Sequence, residues 1–410
     1  LAPEDVCVIA PWQGDYGVPL NVMAPVPGLE PAVQASLLAD MVADFTDDFS
    51  VRMATVFRPL CLALFDLAEQ GELGSLLDVL ALLTDEPLAA RLAARVRDPE
   101  VRQFLLRTLW TPALARTRES LRYRISELVA LPNMRALLCS ARGSIDASAL
   151  LNSRLTLVDL SAPRMGMAGP SLFVGRYVFL LLASAIYRRS PHGDDHPSWV
   201  FVDEWQLLAR HLAQSFGDLL SLARSRNVAL VLANQHPGQV RQASHVLWES
   251  VQENMAWRAL FHPGREALRE IEAYIPVTGR VIDPKNPSRL LTPQAERTAI
   301  EGVLSRLPPR RAVIVNERGT DPLSVVTTMT LPVARARAAW DALPESEKVR
   351  WRRGRYGVPL HDLGPRPLDL PPLPAEEAAP EPAPVPKFGK TRFPGRSGGL
   401  RPTLPPEDDK

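Results

Sequence analysis

Cysteine is scarce in this chain of 410 residues. Its three cysteines, Cys7, Cys61 and Cys139, lie far apart and form neither a Cys-x-x-Cys pair nor a zinc-binding spacing. This odd, scattered set predicts reduced structural thiols and a cytoplasmic protein. The sequence also has no large excess of positive or negative charge, since it contains 47 Lys and Arg residues and 46 Asp and Glu residues. Any nucleic-acid interface must therefore be a local basic patch.

Long hydrophobic runs are missing as well. The longest, residues 177–186, has about half of the ~20 residues that a membrane-spanning helix needs, and Arg176 and Arg188 bracket it. We therefore expect a core helix, no membrane span and no signal peptide. The sequence also lacks a Gly-x-x-x-x-Gly-Lys-[Ser/Thr] motif, the loop that cradles phosphates in many nucleotide-binding proteins. Because the first residue is Leu1 rather than methionine, we expect a fragment or a processed form.

The most informative stretch is residues 198–235, which has the pattern of a strand, a helix and a second strand. It begins with the apolar run SWVFV and two acids, Asp203 and Glu204, and it ends with VALVLA followed by Asn234 and Gln235. Continuous apolar runs of this length are typical of buried strands in a parallel sheet. The intervening helix makes the pair a right-handed crossover unit, so both sets of polar residues are predicted to reach the same edge of the sheet.

This arrangement suits nucleotide hydrolysis, in which a protein mainly positions groups and stabilises charge. Asp203 is the candidate Mg²⁺ ligand, as in a Walker B motif, and Glu204 is the candidate for orienting or deprotonating the attacking water. Gln235 is the candidate contact for the γ-phosphate. The alternative is a strand that simply ends in solvated acids, but an amide at the end of the neighbouring strand favours the first interpretation.

The segments VFVDEWQ (200–206), FGDLLSLAR (216–224) and VALVLANQ (228–235) resemble the core of the TraG/TraD coupling ATPases. These relatives of the HerA and FtsK translocases feed DNA into type IV secretion machines. The resemblance implies an α/β fold with a RecA-like parallel sheet flanked by helices, and ATP and Mg²⁺ as cofactors. It also implies that Arg224, with Arg226 as the nearby alternative, reaches the nucleotide site of a neighbouring subunit. The other interpretation of Arg224 is a cation favoured by the dipole at a helix C-terminus.

The order of elements extends the resemblance over residues 5–330, with local departures. A strand at 6–11 and the loop Pro19-Leu20-Asn21 resemble the segment just downstream of the family's phosphate loop, which implies that the chain starts just after that loop and its helix. Ala10 stands where the family commonly has an acid. The family's Phe-Arg at the end of a later strand is here Phe261-His262, which leaves Arg258 or Arg265 as substitutes.

Residues 31–150 have helical periodicity almost throughout, with breaks at prolines. The resemblance implies that they form an all-α insertion in the sheet domain. A helix predicted at 111–131 carries four bases, either as contacts for DNA phosphates or as a solvated surface: Arg116, Arg118, Arg122 and Arg124.

Two other groups of polar residues have a structural and a functional interpretation. Asp159 follows a strand at 154–160 and is either a loop cap, which we favour, or a second acid near the nucleotide. A loop at 190–197 offers possible metal ligands, although their crowding into one turn favours a solvated loop. Its candidates are His192, Asp194, Asp195 and His196.

The end of the chain changes in composition. A helix is predicted at 333–343, and the basic run 348–355 is either a DNA or acidic-partner contact or a solvated charge cluster. From residue 365 onwards proline dominates, so the tail is predicted to be extended and disordered, as a tether or a partner-recognition segment.

These observations divide the chain into five parts. They are the start of a nucleotide-binding domain (1–30), the all-α insertion (31–150), the main RecA-like motor domain (151–330), a terminal helix with the basic segment (331–364) and the Pro-rich tail (365–410).

The predicted function is the motor core of a homo-hexameric, ATP-dependent DNA translocase that delivers DNA to a type IV secretion system. Its partners would be DNA and relaxosome or secretion components, at the inner face of the cell membrane. Without a phosphate loop, we expect the chain alone neither to bind nor to hydrolyse ATP appreciably. The alternatives are a HerA-like DNA-repair translocase and a catalytically inactive partner-recognition module.

Overall fold

The structure, a computed structural model, describes most of the chain between its first residue and residue 371. The described residues are 1–12, 14–45, 51–161, 168–193, 196–209, 213–261, 277, 279–316, 323–327, 333–364 and 367–371. Residues 1–370 form one compact unit, and residues 371–410 form a second. Of the second unit only Pro371 is described, so the predicted Pro-rich tail lies outside the described residues, as do Asp194, Asp195, His262 and Arg265.

Helices dominate the first part of the chain, as the sequence predicts. Prolines open several of them, and side chains cap the exposed backbone amides, as Ser75 does for α3 and Asp85 for α4. The bounds are α1 Pro31–Phe45, α2 Val51–Glu69, α3 Leu76–Leu82, α4 Glu86–Ala93, α5 Pro99–Gln103, α6 Ala115–Leu128, α7 Pro132–Leu138 and α8 Ala147–Asn152. A π-helical turn, Phe104–Thr108, continues α5 directly.

The remaining helices lie between and after the strands. They are α9 Ala168–Arg188, α10 Gln206–Ala209, α11 Ala213–Ala223, α12 Pro237–Ala243, α13 His245–Asn254, α14 Pro293–Leu304, α15 Val333–Asp341 and α16 Glu345–Arg353. The segment Gly169–Arg188 of α9 is apolar and long enough to cross a membrane by length and composition alone, but it is mostly buried inside the protein. This burial agrees with the predicted core helix.

Eleven strands are described. They are β1 Val6–Ile9, β2 Tyr16–Gly17, β3 Leu155–Val158, β4 Ser198–Val202, β5 Val228–Leu232, β6 Trp257–Phe261, β7 Ile282–Asp283, β8 Asn286–Leu290, β9 Arg311–Asn316, β10 Leu323–Thr327 and β11 Val358–Pro359. Two pairs are parallel, β1 with β3 and β4 with β5. The antiparallel groups are β6–β9–β10, β7–β8 and β2–β11.

The strands do not form the single continuous parallel sheet that the sequence analysis predicted. Among the described residues they form five small groups, and the parallel pairs β1–β3 and β4–β5 share no strand. The architecture is nevertheless α/β, because helices pack on the two parallel pairs in one extended core, and β9 packs with α14 in a separate cluster that includes Leu304 and Val313.

The β4–β5 pair is buried on one face only. Val200 and Val202 of β4 and Leu230 of β5 pack against the core, whereas the next residues along β4 face outwards. Trp199 is 67% exposed and Phe201 is 72% exposed, and their rings stack with centroids 6.4 Å apart. The prediction of a fully buried β4 is therefore wrong for this face, since no described element covers it.

The basic run at 348–355 folds back onto the start of the chain. Arg350 bonds to both Glu4 and Glu347, at 2.9 and 2.8 Å, and Arg352 pairs with Glu345. Gly354, at φ +56°, lies so close to β1 that a Cβ there would stand 2.5 Å from the Val6 carbonyl oxygen. Much of the run's charge is thus balanced by the protein's own acids, and the segment contributes to the fold.

Candidate functional site at the carboxyl ends of β4 and β5

The register of β4 and β5 brings the ends of the two strands together. Val202 lies opposite Leu232 in the parallel ladder. The backbone continues the pairing beyond the strands, because the Ala233 amide donates to Val202 O at 2.9 Å and the Trp205 amide donates to Ala233 O at 3.2 Å. The polar residues that follow each strand are therefore held side by side, as the sequence predicted for parallel strands.

Glu204 and Gln235 meet at this edge. The Gln235 side chain donates from Nε2 to Glu204 Oε1 at 2.8 Å. Glu204 has φ +49°, in the left-handed region that a residue other than glycine rarely adopts, and such strain is concentrated at functional sites. The structure thus places the predicted water-orienting carboxylate and the predicted phosphate-contacting amide in direct contact.

Gln206 holds the other oxygen of Glu204. Its Nε2 donates to Glu204 Oε2 at 2.5 Å and lies 3.3 Å from Gln239 Oε1. The side chain is buried, and its Oε1 has no hydrogen-bond partner within the described part of the chain. Neither glutamine was predicted from the sequence, since Gln206 is only the last residue of the segment VFVDEWQ and Gln239 belongs to no motif.

Trp205 supplies the base of the site. It is 1% exposed, and its Nε1 donates to Asn234 Oδ1 at 3.3 Å. This bond links the polar residues after β4 to those after β5 a second time. The edge is therefore a rigid network in which Glu204 is fixed from two sides.

Asp203 is exposed beside this network. Its Oδ1 accepts the Glu204 amide at 3.0 Å, so the other carboxylate oxygen remains open to solvent. One carboxylate suits Mg²⁺, which keeps most of its waters in nucleotide sites and takes few protein ligands. No cluster of three or more His, Cys, Asp or Glu residues occurs in the part of the chain that the structure describes, so an ion bound mainly by protein ligands does not fit.

Arg224 and Arg226 lie at the opposite end of the same strands. They form a short 3-10 turn between α11 and β5, and Asn227 O at its end accepts the Ser198 amide at the start of β4. Arg224 is exposed, and Arg226 is half-buried. The five residues of β5, at ~3.3 Å per residue, separate both arginines from their own Glu204, so neither completes that site within one chain.

The other predicted polar groups are not brought to this edge. Asp159 accepts the Ser161 amide at 3.0 Å, which is the loop cap that we favoured. His192 donates its backbone amide to Ser225 O at 2.7 Å, and His196 O accepts from Arg189. In α6, Arg116 and Arg122 are exposed, whereas Arg118 stacks over Trp110 at 4.6 Å. Arg258 is half-buried and donates to Gln252 O at 2.7 Å.

The arrangement of helices and strands is shared with bacterial conjugative coupling proteins of the TraG/TraD type. One matching structure is the unbound monoclinic form of TrwBdeltaN70, with a TM-score of 0.52, 14% identity, and coverage of 80% of this chain and 74% of that chain. A second is plasmid coupling protein TrwB in complex with ADP and Mg²⁺, with a TM-score of 0.52, 14% identity, and coverage of 79% and 73%. At this identity the likeness establishes the fold.

A weaker match is VirB4 of Thermoanaerobacter pseudethanolicus, with a TM-score of 0.45, 12% identity, and coverage of 81% of this chain and 83% of that chain. No protein-family model matches the sequence, and no curated protein matches it.

Proposed function

We propose that this chain is the hydrolytic part of an ATP-dependent motor of the conjugative coupling type. The observation that carries the proposal is the contact of Gln235 with Glu204 at the shared end of two parallel strands, 2.8 Å between Nε2 and Oε1. The fold supports it, because structures of TrwB with the same fold are complexes with ADP and Mg²⁺ and with a non-hydrolysable GTP analogue.

Each residue at this edge has a chemical role in the proposal. Asp203 would hold Mg²⁺, and the ion would supply charge stabilisation to the phosphates. Glu204 orients the attacking water and accepts its proton, while Gln206 fixes the second carboxylate oxygen. Gln235 contacts the γ-phosphate. Because it also donates a hydrogen bond to Glu204, it couples the presence of the γ-phosphate to the position of that carboxylate.

The chain does not supply a cradle for the phosphates. It has no Gly-x-x-x-x-Gly-Lys-[Ser/Thr] motif, so the backbone amides and the lysine that normally bind the β- and γ-phosphates are missing from these 410 residues. The acidic half of the site fits Mg²⁺, and the phosphate half does not fit ATP. We therefore expect the isolated chain to be inactive and the activity to require a phosphate-binding loop supplied from outside these 410 residues.

The exposed position of Arg224 favours a ring. An arginine at the far end of β5 cannot reach its own Glu204, but in a head-to-tail ring that end of one subunit can face the site of the next. We propose that Arg224, with Arg226 behind it, stabilises charge in the neighbouring site of a hexamer. Residues 31–150 would then be the all-α insertion that contacts DNA, within a type IV secretion system.

The experiment is a comparison of two glutamine variants in the native assembly. The assembly is purified from the producing cell through a tag on this chain, and its DNA-stimulated ATP hydrolysis is measured. Glu204→Gln should lower kcat by about 100-fold or more, because it removes the carboxylate that takes the proton from water. Glu301→Gln changes an acid in α14, outside the site and outside residues 31–150, and should leave kcat unchanged.

Three results would contradict the proposal. These are equal activity of the Glu204→Gln and wild-type assemblies, an equal loss in both variants, and no hydrolysis by a wild-type assembly of proven composition. The last result would favour the second function, a catalytically inactive recognition module, which the missing phosphate motif already makes a real alternative. If the isolated wild-type chain hydrolyses ATP and Glu204→Gln abolishes that hydrolysis, only the expectation that the isolated chain is inactive would be wrong.

A further inference from the structure

The two carboxylate oxygens of Glu204 lie in different surroundings. Oε1 accepts a hydrogen bond from Gln235, which is exposed. Oε2 accepts one from Gln206, which is only 7% exposed. Gln235 can therefore leave its contact by turning into solvent, whereas burial restricts the movement of Gln206. One oxygen of Glu204 is held at the surface, and the other is held from the interior.

Gln239 determines which way the Gln206 amide faces. The Gln206 Nε2 group donates to Glu204 Oε2 at 2.5 Å and to Gln239 Oε1 at 3.3 Å, so both of its protons have an acceptor. If the amide turned by 180°, its oxygen would face these two oxygens and repel both. Gln239 therefore orients Gln206, and Gln206 in turn orients Glu204.

The position of Gln239 is itself fixed by the fold. Its backbone amide donates to His236 O at 3.2 Å, at the start of α12. The next residue, Val240, is 0% exposed and belongs to the main core. One short turn after β5 thus contacts both oxygens of Glu204, through Gln235 directly and through Gln239 by way of Gln206. The inner contact is the one anchored in the core.

Packing alone does not explain an amide at position 206. Within the described part of the chain Gln206 Oε1 has no hydrogen-bond partner, and burying an unpaired amide oxygen costs free energy. An apolar side chain of similar length would fill the same space without that cost. The amide is therefore explained by its two donated bonds, to Glu204 and Gln239.

We propose that Gln239 is a positioning residue for Glu204 and that it acts through Gln206. The pair holds Oε2 as a fixed pivot, and Oε1 remains the oxygen that can exchange Gln235 for the attacking water. This inference rests on the proposed function, since it concerns the same carboxylate. It adds a residue of α12 that does not touch Glu204 itself.

The first test measures DNA-stimulated ATP hydrolysis by the native assembly. Gln239→Met removes the acceptor but keeps the length of the side chain. It should lower kcat by roughly threefold to tenfold and change KM for ATP by less than about twofold, because it misplaces Glu204 without altering nucleotide affinity. Gln239→Glu keeps an acceptor oxygen and should stay within about twofold of the wild-type kcat. The control, Gln242→Met, makes the same change at an exposed position of α12 and should leave kcat unchanged.

The second test uses the isolated full chain and does not depend on hydrolysis. NMR measures the exchange of glutamine side-chain amide protons with water, and the Gln206 signal is identified by its loss in Gln206→Met. It should exchange about tenfold or more slowly than the exposed Gln242 amide, because it is buried and donates two hydrogen bonds. Gln239→Met should speed the exchange of Gln206, and Gln242→Met should not.

Each test can overturn the inference by itself. A Gln206 amide that exchanges as fast as that of Gln242, or whose exchange Gln239→Met leaves unchanged, would show that Gln239 does not orient Gln206 in solution. Equal kcat for Gln239→Met and the wild type, or an equal loss in Gln239→Glu, would show that Gln239 has no positioning role. A loss of activity in Glu204→Gln would still support the proposed function in all these cases. The absence of hydrolysis by the wild-type assembly would remove both proposals.

Discussion

The helical region and the β4–β5 region bury their apolar residues to very different extents. In α2, Phe57 and Leu60 are 0% exposed, enclosed by neighbouring helices such as α1 and α6. In β4, Trp199 and Phe201 are 67% and 72% exposed, although they belong to an equally apolar run. The difference is one of layers, because α2 is surrounded by helices while β4 has them on one side.

This comparison separates the part of the chain that folds on its own contacts from the part that leaves surface for another molecule. Contiguous apolar surface on a protein usually marks an interaction site. The candidate functional edge, with Glu204 and Gln235, lies in the second part. We therefore expect stability to depend mainly on the helical region and function on the β4–β5 region.

The largest effect should come from Phe57→Ala. Removing a fully buried ring leaves a cavity that the packed helices cannot fill, and the free energy of unfolding should fall by about 3–5 kcal/mol. Phe201→Ala removes the same atoms from an exposed position and should change it by about 0.5 kcal/mol or less. Urea denaturation of both variants measures the difference. Similar losses in the two would break the comparison, since they would show that the Phe201 face is covered in solution.

A smaller effect should come from Asp78→Ala. The buried Asp78 carboxylate accepts the Ser75 amide at 2.7 Å and the Leu368 amide at 3.0 Å, so it joins α3 to residues near the end of the compact unit. Losing these two bonds and the one from Ser75 Oγ at 2.9 Å should cost about 1–3 kcal/mol. Asp85→Ala, which removes an exposed cap from α4, is the control and should cost about 1 kcal/mol or less. Equal losses would mean that the contact with Leu368 contributes nothing.

The smallest effect should appear at alkaline pH. Burial raises the pKa of Cys7 in β1 from 9.0 to about 12 and that of Cys139 to about 12. A raised pKa gives stability that is complete below the unfolded value of 9.0 and is lost as pH rises from there towards 12. The loss is at most about 1.4 kcal/mol per pH unit for each thiol.

The measurement is the unfolding free energy of the wild-type chain and of Cys7→Ala at pH 8 and pH 10. The variant should lose about 1 kcal/mol less between these two values, because it lacks one titrating thiol. An identical loss of unfolding free energy in the two proteins would show that β1 opens to water more easily than the helical region. β1 would then be grouped with β4 rather than with the buried helices.

The sequence predicted the meeting of Glu204 and Gln235 because the argument needed only local information. An apolar run that ends in acids, followed by a helix and a second run, determines which ends of the strands coincide. The chemical roles of these residues stay predictions. Gln206 was missed because its contact with Glu204 is a matter of side-chain geometry, which the sequence pattern does not encode.

Other features depend on partners distant in sequence, which periodicity does not report. The apolar run 198–202 correctly predicted a strand, but whether a second layer covers it depends on other segments. The basic run 348–355 contains Arg350, which pairs with Glu4 across 346 positions of the chain. A pattern of charges predicts a basic helix there and cannot identify an acid at the other end of the chain.

The close approach of Gly354 to Val6 has a practical consequence for anyone who wants to shorten the protein. The Arg355 amide donates a hydrogen bond to Val6 O at 2.8 Å, so the segment after residue 345 helps to hold β1 in place. Cutting the gene at the end of the apparent motor segment, near residue 330, would remove this contact and leave β1 with its pairing to β3 and the core packing of Cys7 and Ile9. A minimal version of the protein should therefore extend to Leu370.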